Sequence, residues 1–183
     1  LSDLPQLEQR IQSAGGVRTQ ARVHETNLRY DLPDGSLTAN HQVLRLRQDV
    51  NSILTYKGPS SLGETVNIRQ EIETTVGDFA AAQRILEALG YRIAVMYEKW
   101  RTTYRLGVLE IVLDEMPFGN FCEIEGPDAE AIRLAANSLH LDWESRITDS
   151  YLGMFWRLKS SLNLKAENLD FASFQGIKIS HQD

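Results

Sequence analysis

One pattern recurs so often in this chain that few folds can hold it. Residues 67–76 read NIRQEIETTV, in which Ile68, Gln70 and Ile72 alternate with Arg69, Glu71 and Glu73. A period of two marks a strand with two unlike faces. The same alternation sets Arg45 and Arg47 opposite Leu44 and Leu46, and Lys57 and Thr55 opposite Leu54 and Tyr56. It sets Lys99, Arg101 and Arg105 opposite Trp100 and Tyr104. It sets Glu110 and Asp114 opposite Ile111 and Leu113, and Glu123 and Glu125 opposite Cys122 and Ile124. Six strands thus share one design, an apolar face backed by a face that carries, over all six, seven cations and six anions.

Two architectures accommodate this. An open antiparallel sheet can pack its apolar face on helices and leave the charged face in water. Alternatively, the sheet closes into a barrel, charged face inward and helices outside. A dry core of so many ions is excluded, because each costs several kcal/mol of desolvation. A water-filled tunnel is not, and eight strands are about enough to enclose one small ligand. Alternation alone favours the solvated face, since charge runs are mostly that. The spacing favours the tunnel. Arg-x-Arg, Arg-x-Glu-x-Glu, Lys-x-Arg and Glu-x-Glu follow one another with few Ser, Thr or Gln between them. Forked cations suit phosphate oxygens. Carboxylates two apart on a strand stand together and can share a hard cation such as Mg²⁺ or Mn²⁺. The set suits a metal-bound polyphosphate.

Helices punctuate the strands. Asp3, Pro5, Leu4, Leu7 and Ile11 predict a first helix, stopped at Gly15-Gly16. A second runs from Asp78 to Gly90 with a stripe of Phe79, Ala82, Leu86 and Leu89. A third spans about Pro127 to Leu139, and a fourth starts at Asp149-Ser150 with Tyr151, Phe155 and Leu158. Strands are expected over 43–48, 53–57, 67–76, 96–106, 109–115 and 120–126, with a weaker one within 20–30 before the turn at Pro33-Asp34-Gly35. No repeat, low-complexity block or linker divides the chain, and the tail from Asn163 shows no clear period.

The 183 residues suffice for one domain with a core. A formal net charge of −6 argues against a protein built mainly to bind nucleic acid or an anionic membrane. Fourteen arginines against five lysines suit forked recognition of phosphate or carboxylate. Cys122 is the single cysteine, so no internal disulfide forms, and on the predicted apolar face it reads as packing rather than as a nucleophile. No apolar run reaches membrane-spanning length and no signal-peptide core opens the chain, so a cytoplasmic protein is expected. His24, His41, His140 and His181 lack metal-ligand spacing. Trp100, Trp143 and Trp156 read as packing residues. There is no glycine-rich phosphate loop and no nucleophile elbow.

The segments YDLPDGSL and VLRLR, then LTYKGP, RQEIE, YEKWRTTY, VLDEMPFGNFCEIEG and ITDSYLGMF, stand in an order and spacing that resemble the CYTH superfamily, the triphosphate tunnel metalloenzymes. This superfamily is named for class IV adenylate cyclases and thiamine triphosphatases. The resemblance covers about Asp3 to Leu158 and puts a tunnel domain at 1–160, with 161–183 an unassigned extension. It implies an α+β fold, an eight-stranded antiparallel barrel with helices outside. It implies that Arg45, Arg47, Lys57, Lys99 and Arg101, with Arg69 a further member, hold a triphosphate. It implies Glu73, Asp114, Glu123 and Glu125 as ligands of Mg²⁺ or Mn²⁺, with Lys99 and Glu73 the catalytic pair and Glu71 structural. Glu110 and Arg105 match no family position. The family also carries Glu-x-Glu-x-Lys on a strand before its first helix. No such motif occurs near Leu1, and a truncated start is the expectation.

Through the resemblance, the chain is expected to hydrolyse a small triphosphate: inorganic triphosphate, thiamine triphosphate or ATP. No nucleic acid or membrane partner is expected, and a homodimer is left open. In the alternative, the ribose 3′-hydroxyl of ATP attacks the α-phosphorus and cyclic AMP forms; Lys99-x-Arg101 with Tyr104 leans that way. A third reading is a non-catalytic module that binds polyphosphate or nucleotide. Outwardly, Ile68 and Ile72 are expected to pack under helices, with Glu73 on the cavity side.

Overall fold

The computed structural model describes residues 1, 3–59, 69–177 and 179. The chain opens with helix α1 (Leu4–Ser13), where Asp3 accepts from the Gln6 amide at 2.8 Å and Pro5 occupies the first turn. Gly15, at φ +91°, turns the chain out of it. Strand β1 (Val17–Asp31) follows, then the short helix α2 (Ser36–Ala39). Strands β2 (Val43–Gln48), β3 (Ser52–Lys57) and β4 (Glu71–Val76) lead to helix α3 (Phe79–Ala88), capped by Asp78. Strands β5 (Arg92–Leu106), β6 (Leu109–Met116) and β7 (Gly119–Glu125) form a meander, followed by α4 (Ala129–Ser138) and α5 (Tyr151–Ser161). Asp128 and Ser150 cap the last two helices.

All strand pairs are antiparallel, in the order β4-β3-β2-β1-β5-β6-β7. The closed eight-stranded barrel expected from the sequence is therefore not what is found. Among the described residues there are seven strands, and β4 and β7 end the hydrogen-bonded ladder without a partner on their outer edges. Closure would need a segment to satisfy both edges, and no described segment runs between them. The sheet still curls. Register shifts interrupt the β1–β5 pairing between Arg18 and Gln20, Gln20 and Val23, and Arg29 and Tyr30. Such bulges bend a strand and increase its twist. The curl brings Lys57 of β3 close enough to act on the charge of Glu125 on β7, although four strands separate them.

The weakest strand of the sequence reading turns out to be the centre of the sheet. β1 is 15 residues long and joins the two halves. Its buried positions include Glu25 and Asn27, which hide it from any search for apolar alternation.

The apolar faces point to the convex side. There Leu7 and Ile11 of α1 and Leu139 after α4 pack on Tyr104, Ile111 and Leu113, with Cys122 and Ile124 at the margin. Leu86 and Phe79 of α3 cover Leu28, Tyr30 and Leu46. Cys122 is thus a packing residue, and burial pushes its thiol up to about 12. Ile72 departs from expectation. It is 56% exposed, because α3 covers β2 and leaves the edge strand β4 bare. Ile68 and His181 lie outside the described residues.

Helix α5 instead packs on the concave side. Leu152 and Phe155 join Val95, Tyr97 and Met116, with Phe118, Leu169 and Phe174 completing the cluster. The tail beyond α5 has a definite place. The Leu169 amide donates to the Met96 carbonyl and the Glu98 amide donates to the Leu169 carbonyl, both at 3.0 Å. This bridge satisfies the edge of β5 at Met96–Glu98, next to the part of β5 that pairs with β6.

Candidate active site

The concave faces of all seven strands, β6 through Glu110, line a trough of about 1790 Å³. The alternation described above decides which side chains reach it. Arg45 and Arg47 come from β2, Lys57 from β3, and Lys99 and Arg101 from β5, and all five line the trough. Arg69 lines it as well, from the described residues just before β4. Glu73, Glu123 and Glu125 also reach it, from β4 and β7.

Asp114 on β6 is fully buried beneath this surface. Arg101 grips it with two bonds, Nε to Oδ1 at 2.7 Å and Nη2 to Oδ2 at 2.5 Å. Lys99 Nζ donates to Oδ2 at 3.0 Å, and the Tyr151 hydroxyl donates to the same oxygen at 2.9 Å. Burial alone would raise the Asp114 carboxyl, but the Arg101 hydrogen bonds and the Lys99 and Arg101 charges hold it at about 2. Burial likewise works against the charge on Arg101, yet Asp114, Glu123 and Glu25 lift its pKa well above the usual value. Arg101 Nη2 also donates to Glu123 at 2.8 Å. The Asp114 oxygens are thereby committed to cations and a hydroxyl.

A second buried carboxylate, Glu25 of β1, lies within 3.5 Å of Lys99 and 3.9 Å of both Arg101 and Arg47. Burial raises its pKa, and the charges of Lys99, Arg101 and Arg47 more than reverse that, so it stays ionised. Arg47 also lies 3.3 Å from Asp49. Arg45 donates to Thr55 Oγ1 at 3.3 Å, and Thr55 donates to Glu73 at 2.9 Å. Lys57 pairs with Glu71 at 2.9 Å. Glu125 is different. Burial first, then the neighbouring Glu123, raises its pKa.

The predicted metal ligands therefore fall into unlike settings. Glu123 and Glu125 stand together on β7, Asp114 is sealed by Lys99, Arg101 and Tyr151, and Glu73 lies across the trough beside Thr55. Among the described residues no three carboxylates, histidines or cysteines come together as a metal cluster. Glu25, Asn27, Arg29, Tyr97 and Tyr151 went unassigned in the sequence. The first three repeat the alternation of the other strands, and that is the signal that could have found them. Tyr104 belongs elsewhere: it is buried on the convex face, where its hydroxyl donates to Glu8. Trp100 packs under Arg22 at 3.9 Å and beside His24; Trp143 lies under Arg146 and lines the trough, and Trp156 touches Phe155 but is 44% exposed.

A curled antiparallel sheet of this kind has known counterparts. A candidate adenylate cyclase of Vibrio parahaemolyticus superposes with a TM-score of 0.76 at 22% identity, over 85% of this chain and 93% of that one. A protein of Pyrococcus horikoshii gives 0.70 at 22% identity, over 85% and 95%. A candidate adenylyl cyclase of Hippeastrum with a dominant triphosphatase activity gives 0.63 at 17% identity, over 86% and 92%. At these identities the likeness shows a shared fold. No curated protein matches the sequence. The model of the CYTH domain matches residues 2–151, across the strands that carry every charged face described above, and the chain belongs to that family.

Proposed function

We propose that the chain is a metal-dependent enzyme that hydrolyses inorganic or organic triphosphates. One observation carries this reading: Arg45, Arg47, Lys57, Lys99 and Arg101, drawn from three strands, line a single trough with Glu123 and Glu125. Cations so placed neutralise the charge that builds on phosphoryl oxygens during transfer. Arg45 and Arg47 supply forked donors, and Lys99 and Arg101 are held in position by Asp114 beneath them. Membership of a family with cyclase and triphosphatase relatives supports the enzyme class.

The Glu123–Glu125 pair fits a divalent cation. Burial and then Glu123 raise the Glu125 pKa, and a cation relieves the repulsion between the two carboxylates. Mg²⁺ or Mn²⁺ is commonly held by one or two carboxylates together with phosphate oxygens. When bound, such an ion supplies Lewis-acid activation of the phosphoryl oxygens and the attacking water. Glu73, half-exposed across the trough, and Glu110, opposite Glu125 on β6, are further carboxylates on this surface. Asp114 fits less well as a ligand, since its oxygens are occupied, and we assign it to holding Lys99 and Arg101.

The test offers inorganic triphosphate, thiamine triphosphate and ATP with Mg²⁺ or Mn²⁺ and identifies the products. Orthophosphate release is expected. Cyclic AMP and pyrophosphate from ATP would replace this reading with cyclisation. Saturable binding without turnover would replace it with a binding module.

A further inference from the structure

Among the described strands, one cation of the trough lies outside the motif residues. Arg29 of β1 lines the cavity directly opposite Arg45 in the β1–β2 register. Like charges in that position repel. Arg29 has neither an ion pair nor a hydrogen bond among the described residues. Asp31, the nearest acid in sequence, is spent. Its carboxylate accepts from the amides of Leu32, Leu37 and Thr38 and from the Thr38 hydroxyl, which fixes the turn into α2.

The ground beside Arg29 is equally unsatisfied. Asn27 is fully buried, and neither atom of its amide has a partner. By strand alternation its side chain lies between those of Glu25 and Arg29, which line the trough, while Asn27 itself is enclosed and does not line it. Arg45 Nε is buried and unpartnered too, while Nη2 of that guanidinium donates to Thr55. Buried donors left open usually have a partner that completes them. Burial, and then Arg69 and Arg45, push the Arg29 guanidinium below its ordinary pKa, an effect that Tyr97 and Asp31 offset only in part. The arrangement is costly when empty, and an anion would relieve it.

We infer that Arg29 and Arg45, facing each other across β1 and β2 beside the open amide of Asn27, form a subsite for one phosphoryl group of the substrate. Arg29 is then a substrate-binding residue that none of the family motifs in this chain supplies. Two guanidiniums on adjacent strands offer forked donors to one tetrahedral anion from two sides. The inference rests on the triphosphate reading above and adds to it which residues grip one phosphoryl group.

Wild type, Arg29→Met and Arg29→Lys are titrated calorimetrically with inorganic tripolyphosphate in Mg²⁺, and each is melted without ligand. Arg29→Met keeps the length and removes the charge. It should weaken tripolyphosphate binding by about tenfold or more, the loss of a charge-assisted bond. Its empty form should melt higher than wild type, because a like-charge contact is gone. Arg29→Lys keeps the charge and loses the fork, so its binding should fall between the two. Met-variant binding within twofold of wild type, or an empty form that melts lower, overturns the subsite. Should Arg29→Met fail to fold, lysine-variant binding equal to wild type overturns it. A wild-type protein that does not bind tripolyphosphate overturns the triphosphate reading itself, and the subsite with it. Binding by wild type that survives both substitutions overturns the subsite and leaves the triphosphate reading standing.

Discussion

Asp114 links the chemistry of the site to its stability. Its carboxylate neutralises Lys99 and Arg101 where neither could be left alone in a buried setting. Asp114→Asn should therefore cost on the order of 3 kcal/mol, read from denaturant unfolding at neutral pH. The pH dependence has a definite sign. A carboxyl held at about 2 in the folded state, below its ordinary 3.8, contributes stability above the ordinary value and loses it as pH falls through the folded one. Wild type should lose on the order of 2 kcal/mol between about pH 4 and pH 2 from this group, and Asp114→Asn should be flatter across that window. A parallel pair of curves would remove Asp114 from the account. At this scale the charged faces were legible in the sequence, because a cation repeated at period two has one face to go to. The roles were less so. Whether a carboxylate meets a metal or an arginine depends on which strand lies next to it, and Asp114 meets Arg101 only through the β5–β6 register.

The elements were legible where they carry their own signals. Helices α1, α3 and α4 announced themselves through caps and apolar stripes, and the β5–β6–β7 meander through its turns. β1 did not, since a strand buried through Glu25 and Asn27 looks polar. The cover over each strand was not legible either, as β4 demonstrates. Ile72 alternates like a buried residue but sits on a bare edge. Ile72→Asp should accordingly change stability by no more than about 0.5 kcal/mol. Leu169→Ala, by contrast, should cost about 2–5 kcal/mol, because that side chain is fully enclosed among α5, β5 and the tail. Equilibrium unfolding of both variants checks the contrast. A large loss at Ile72 would mean that something covers β4.

Over the whole molecule, the trough gathers cations that substrate would neutralise. Tripolyphosphate with Mg²⁺ should raise the melting temperature through linkage, by about 2.7 kcal/mol of stability at a hundred times Kd. Added salt should shrink the effect, since it screens the partly open charges. A shift that does not depend on salt would point to contacts outside the charged face.

The long seam between β1 and β5 also dictates the order of events during folding. It joins residues 31 and 92 at its near end and 17 and 105 at its far end. Nothing local can form it, so a large loop must close before its contacts offer any return. The β2–β3 and β5–β6–β7 hairpins need only short turns and can precede it. Since Glu25 and Lys99 meet across that seam, the cationic trough comes into being late, at the step where the two halves of the chain dock.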